Sequence, residues 1–530
     1  MKRLLVFFLV LLLVFVGTSL LTGCAPTEEE QTKPVEEVQE EQEEQEVVVI
    51  INVDPASFDP IFPPQARGID MRITSHVAQQ LFTTDNPERS LQPLLAETGE
   101  ASADGMTWTI KLREGIFFHD GAPFNAEAVK LNLDRIRFGD AIASRLINDY
   151  VEDIEVAGEY LIKLHMKMPM GVMLYNLSDF NTGGMVSPLV LESLGEGESY
   201  EFPVGTGPYK FTRWDKGEQI VMEKVEDYWG EPAKIDRLIF KPVPEAGSRA
   251  IMLETGEGHV ALGLPIPEIQ RLENNPNINV DRRPSLQTYF MGLNYSRPPF
   301  DNPKVRQAVN YAVDKQAIVD TILQGNATVS TSPVPALSFG YKKVGPYEYN
   351  PEKAKQLLEE AGYGDGFSVD LYHTTNVYMM DAMICEAVQA YLAEVGIEVN
   401  LITMEMATLM PTIRKPVDES VDDMFALGWT ASHPDAHYTV ENILHSEKWP
   451  PRGGTNNYYK NERVDELIDL AARSSNMAER ERYYHEMQEL IWKDAPWLFL
   501  HNPATTIVHQ ASLKGLIFNE GLVLWNAYLE

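Results

Sequence analysis

The stretch "DGMTWTIKLREGIFFHDGAPFNAEAVKLNLDR", residues 104–135, changes its periodicity part-way along. From Thr107 to Phe124 apolar and polar residues alternate, the period of a strand with one buried face, and Asp120-Gly121 supplies hairpin turn chemistry. From Asn125 the apolar residues fall at helical spacing. Asn125 itself stands where its side chain can accept a hydrogen bond from a free amide of the first turn. A strand pattern that hands over to a capped helix indicates a mixed α/β chain.

The same two patterns continue outward. "EVVVIINV" at 46–53 is a β-branched run that enters the turn-rich "DPASFDP" and reads as a strand. "SVDLYH" at 368–373 and "IEVNLITM" at 397–404 flank an apolar helix that contains Cys385. Asn302-Pro303 and Asn350-Pro351 each open a helix, the first read as running to Gly325 and the second to Gly362. "ERVDELIDLAARSS" and "AERERYYHEMQELIWKDAP" form a helical pair closed at Pro496. No internal repeat is visible.

The first residues have a different character. Lys2 and Arg3 precede the apolar run Leu4–Val16, and Leu21-Thr22-Gly23-Cys24 follows, the order of a secretory signal with a small-residue processing site. That site resembles a bacterial lipobox, which implies cleavage before Cys24, lipidation of its thiol, and export to the outer face of a cell membrane. Residues 25–46 hold ten Glu against one Lys and almost no apolar residue, so they read as an extended tether. The 507 residues from Cys24 onward are too many for one core and suit two or three domains. The net charge of −34 argues against nucleic acid and against adhesion to anionic lipid. Beyond Cys24 the only cysteine is Cys385, so no disulfide framework is available, and its apolar surroundings predict a buried side chain.

Motifs for chemistry are sparse. There is no phosphate-binding loop ending in Gly-Lys-Ser or Gly-Lys-Thr and no Gly-x-Ser-x-Gly elbow, and "HEMQE" at 485–489 lacks the second His of a zinc-protease helix. The remaining candidate is "LGWTASHPDAHY", residues 427–438. On extended backbone His433, Asp435 and His437 would share one face, and imidazole with carboxylate suits zinc or nickel. No distant fourth ligand is legible, and the alternative is a pocket wall in which Trp429 offers a flat face and an indole N–H.

The order of several segments resembles the family 5 extracellular solute-binding proteins, the capture subunits of ABC importers. The segments are "SFDP" at 57–60, the opening stretch, "FPVGTGPYKF" at 202–211, "MLETGE" at 252–257, "RPPFDNPKVRQAVNYAVDK" at 297–315 and "YNPEKAKQLLEEAGY" at 349–363. "SEKWPPRGGTNNYYKNERVDELIDLA" at 446–471 is most similar to the glutathione and dipeptide group. The resemblance implies a type II, cluster C periplasmic-binding-protein (Venus flytrap) fold of two α/β lobes joined by two crossing strands. Lobe I is expected over 47–84, 190–286 and 504–530, an extra subdomain over 85–189, and lobe II over 287–503.

It further implies a reversible binder with no catalytic residues and no cofactor, monomeric, working with an ABC permease and its ATPase subunits. The expected ligand is a short or glutathione-like peptide; a nickel or other metal chelate, or an oligosaccharide, is the alternative on the same scaffold. The resemblance places Trp429 to Tyr438 in the cleft. Members that hold a peptide amine carry Asp three residues after the Trp, where this chain has Ser432. Dipeptide binders carry Arg ahead of the helix containing Cys385, where this chain has Thr375, followed by Asn376. The expected ligand contacts are therefore Trp429, Ser432, His433, Asp435, Thr375 and Asn376. Ile61 and Phe62 are expected as a strand edge for peptide addition, and Arg67 and Arg72 as cations for an anionic ligand.

Overall fold

The computed structural model describes residues 44–60, 67–86, 88–139, 146–179, 182, 184–195, 198–450, 453–454, 457–518 and 521–530, with backbone alone at Arg67. Cys24, the acidic segment before residue 44, and Ile61 and Phe62 lie outside the described residues.

Within residues 44–530 a mixed sheet of twelve strands forms the spine. Glu46–Ile51 lies parallel to Arg237–Pro242 on one side and Val260–Ala261 on the other. From Val47 to Ile51 every side chain is buried, which is why this strand is a continuous β-branched run rather than an alternating one. At the other end of the sheet Phe367–His373 runs parallel to both Ile397–Thr403 and Met424–Thr430. The helix Asp381–Ala393 makes the first of these crossovers and buries Cys385 completely.

Two adjacent antiparallel ribbons join the ends. The 14-residue strand Trp497–Gln510 pairs with Gln287–Leu293 through its first half and with Ile278–Pro284 through its second. The ladder is interrupted where the partner changes. There side chains take over: Ser285 Oγ donates to the Pro503 carbonyl at 2.5 Å, and Asn502 Nδ2 donates to the Gln287 carbonyl at 3.0 Å.

Separate cores lie on the two sides of this crossing, one including Val49, Tyr209 and Phe240, the other Val309, Leu371 and Cys385. The opening sequence stretch belongs to neither. Thr107–Leu112 sits inside a four-stranded antiparallel sheet with Ala96–Ala101, Val151–Gly158 and Leu161–Met166. The helix Ala126–Arg137 covers it, and Trp108, Ile110, Val129, Leu133 and Ile162 share a third core. Asn125 caps that helix as its sequence predicts, accepting from Ala128 N–H at 3.0 Å.

One expected helix is divided. The helix opened by Asn302 stops at Ala312, Val313 is extended, and Asp314 starts a new turn by accepting from Ala317 N–H at 2.9 Å. The physical reason is tertiary. Buried Asn310 donates to the Trp497 carbonyl and accepts from Phe499 N–H, which fixes the helix end against the long strand. Lys315 turns inward onto the Val313 carbonyl.

Candidate functional site

Phe367–His373 and Met424–Thr430 are parallel neighbours, so the loops that follow them leave the same edge of the sheet. Ligands of open α/β sheets bind outside such carboxyl edges. The first loop winds around buried Asp381, which accepts from Thr374 Oγ1 and from the amides of Asn376, Val377 and Tyr378 at 2.9 to 3.2 Å. Thr375 and Asn376 are exposed, Asn376 with φ 63°. Tyr378 fastens this loop to the second strand. Its hydroxyl donates to the Gly428 carbonyl at 3.3 Å, and a Cβ on Gly428 would stand 2.5 Å from its ring.

The second loop carries the 427–438 stretch. Trp429, half-buried, stacks on Tyr438 with centroids 5.7 Å apart. His433 is buried and meets Tyr438 edge-on at 5.1 Å, while Tyr175 from the four-stranded subdomain lies 5.7 Å away on its other side. Trp429 Nε1, Ser432 Oγ and His433 Nε2 are buried without a hydrogen-bond partner. Burial pushes the His433 pKa down to about 4, so the ring is neutral at pH 7.

The loop does not present His433, Asp435 and His437 on one extended face. Asp435 caps the helix Ala436–Leu444, accepting from His437 N–H at 3.0 Å, so His437 lies in the first helical turn. Asp435 also accepts from Arg480 Nη2 at 2.6 Å and from the Tyr484 hydroxyl at 2.8 Å, with both ion-pair side chains fully buried. Burial alone would raise its pKa; the Arg480 guanidinium, His433, and His437 with its backbone N–H together outweigh this and hold it below the usual range. Its carboxylate is thus engaged by Arg480 and Tyr484 within the scaffold. Among the described residues no group of three His, Cys, Asp or Glu side chains is placed to hold a metal ion. The metal alternative for His433, Asp435 and His437 therefore finds no matching geometry.

Arg67 opens the helix Arg67–Thr74 and Arg72 stands in its last turn. Two cavities lie between the four-stranded subdomain and the part of the chain beyond residue 287. One of about 910 Å³ is lined by Arg89, Trp108, Tyr175, Phe339, Met477 and Arg480. The other, of about 220 Å³, is lined by Asn176, His433, His437, Tyr438, Glu441 and Lys448. Tyr175 faces the first and His433 the second, and their rings pack together between them. Sequence reasoning missed Tyr175, Arg480 and Tyr484. Nothing near them in the chain signals a role, because their partners are distant in sequence.

Residues 90–451 match the model of the bacterial extracellular solute-binding proteins, family 5. The chain belongs to that family. Family 5 proteins are the substrate-binding components of transporters and not enzymes. A relative, the glutathione-binding protein GsiB of Salmonella typhi, is 35% identical over 441 residues, covering 82% of this chain and 85% of its own. The structure of the periplasmic binding protein DppA from Helicobacter pylori, in complex with the peptide STSA, is similar at 28% identity. It has a TM-score of 0.76 and covers 92% of this chain and 98% of its own. HbpA2 from Haemophilus parasuis gives 26% identity and a TM-score of 0.82, over 92% of this chain and 100% of its own. The two-lobed family 5 fold implied by the resemblance is the fold present here. Among the described residues no helix is long and apolar enough to cross a membrane.

Proposed function

We propose that this protein captures short peptides, glutathione-like ones among them, and delivers them to the permease of an ABC importer while tethered by lipid on Cys24 to the outer face of the cell membrane. The observation that carries the reading is the loop at the carboxyl edge of the sheet, where Trp429, Ser432 and His433 hold unpartnered polar groups beside an aromatic wall. Kinship with peptide and glutathione binders supports the ligand class. In this reading the lobes divide near 286/287 and 503/504, where the two ribbons change partners, and the ligand sits between them. Thr375 and Asn376 border the site, Ile61 and Phe62 supply a strand edge, and Arg67 and Arg72 face anionic groups of the ligand. The protein acts as a monomer.

Calorimetry with glutathione and with alanyl peptides of two to five residues tests the ligand class. Saturable binding of at least one of them is expected, together with a smaller radius of gyration in solution scattering, since closure is driven by the ligand's better affinity for the closed state. Absence of binding across the panel refutes peptide capture, and tight binding with an unchanged profile refutes hinge closure. Cys24→Ala is expected to release the protein from the membrane fraction with its binding intact. Retention of that variant would point to another attachment.

A further inference from the structure

His433 can be assigned a tautomer. The Asp435 amide donates to His433 Nδ1 at 3.3 Å, and a ring nitrogen that accepts carries no proton. The neutral ring therefore holds its proton on Nε2, the nitrogen that is buried without a partner in a side chain only 1% exposed. Trp429 Nε1 is a donor by its chemistry and is equally unpartnered. Both rings pack on Tyr438, so this wall offers two N–H donors, with the Ser432 hydroxyl between them in sequence. The buried carboxylates beside them are engaged, Asp435 with Arg480 at 2.6 Å and Glu441 with Lys448 at 3.0 Å, while exposed Asp149 lines the same 220 Å³ cavity as His433.

We infer that the ligand group seated against Trp429 and His433 is an oxygen acceptor, a carboxylate or an amide carbonyl, and not an ammonium. The inference rests on the peptide-capture reading and narrows it. A buried donor left unmade is costly, so an acceptor oxygen gains by satisfying it. An ammonium seated against these two rings would meet donors rather than acceptors, and the buried carboxylate next to His433, Asp435, is already held by Arg480. The cavity of about 220 Å³ lined by His433 has room for a small polar group of this kind.

The first test needs no ligand. Nitrogen-15 spectra of the imidazoles should show His433 protonated on Nε2; protonation on Nδ1, or on both nitrogens at pH 7, overturns the inference. The second uses calorimetry with glutathione, its N-acetyl derivative and its diamide. His433→Phe, which keeps the ring packing, is expected to weaken glutathione about tenfold to a hundredfold, the range for losing one bond to a charged acceptor. His433→Gln, whose amide N–H reaches the same place, should recover most of that loss. Thermal unfolding of both ligand-free variants shows that each is folded. The loss in His433→Phe should persist with N-acetylglutathione. Its persistence with the diamide marks a carbonyl, and its disappearance there marks a carboxylate. Unchanged affinity in His433→Phe, or a loss that vanishes on acetylation, overturns the inference. If the wild-type protein binds no peptide, the capture reading fails on its own, and the spectra alone decide the donor.

Discussion

Asp435 and Arg480 are two full charges buried in contact, and what they hold in place is a loop rather than a ligand. Arg480 also donates through Nε to the Ala471 carbonyl, so one side chain connects the site loop to the last turn of the helix Glu462–Arg473. Removing one partner of such a pair leaves an uncompensated buried charge. Arg480→Met is therefore expected to cost about 3–5 kcal/mol in urea unfolding. Asp435→Asn added to it should restore part of the loss, and no recovery would show that packing, not charge, dominates. Ser432, half-buried, carries a buried hydroxyl without a partner. Ser432→Asp is expected to strengthen ligands that lodge an ammonium there and to weaken those that lodge an acid, as read by calorimetry. Identical ligand ranking in both proteins would put Ser432 outside the pocket. Trp429, Ser432 and His433 stand out as candidates in the sequence because Trp, Ser and His in one short stretch differ from everything around them. The ion pair was not, since Asp435 meets partners 45 and 49 residues away and no local pattern announces Arg480 as buried.

Among the elements, those whose logic is local were read correctly from their residues. Asn125, Asn302 and Asn350 each cap a helix, because a short amide side chain at that position reaches the free amides whatever surrounds it. The helix broken at Val313 was misread because its apolar spacing continues across the break. What stops it is Asn310 bonding to Trp497 and Phe499, contacts 187 and 189 residues away. The loop of the four-stranded subdomain at Gly171 shows a similar dependence. Its amide donates to the Ala472 carbonyl at 2.5 Å, and a Cβ there would stand 1.9 Å from the Ser474 carbonyl oxygen. Any side chain prevents this approach. Gly171→Val is expected to weaken ligand binding and enlarge the radius of gyration of the loaded protein. Unchanged scattering and affinity would show that this contact is incidental to closure.

Three fully buried imidazoles, those of His76, His433 and His501, are held neutral across the molecule. Burial lowers His76 and His433 from the ordinary 6.5 to about 4, and His501 to about 3. Above pH 6.5 these rings are neutral in both states and cost nothing. As pH falls below 6.5 the unfolded chain gains protons that the native state refuses, so each histidine removes roughly 1.4 kcal/mol of stability per pH unit until its own pKa is reached. Asp422, raised by burial to about 6, acts oppositely between pH 6 and 3.8, where the native state takes the extra proton. The net expectation is a thermal midpoint that falls steadily from pH 6.5 to 4.5; a flat profile would mean that the rings are reached by solvent. The crossing ribbons carry a consequence for biosynthesis. Every other strand of the twelve-stranded sheet precedes Trp497–Gln510 in the chain, yet this strand lies in the sheet's interior and pairs with Gln287–Leu293, Ile278–Pro284 and Val260–Ala261. A growing chain therefore reaches residue 496 with the edges of both halves still open. The twelve-stranded sheet cannot close until the last of its strands leaves the ribosome. An exported polypeptide benefits from that delay, because a translocation channel threads a chain that has not yet closed on itself.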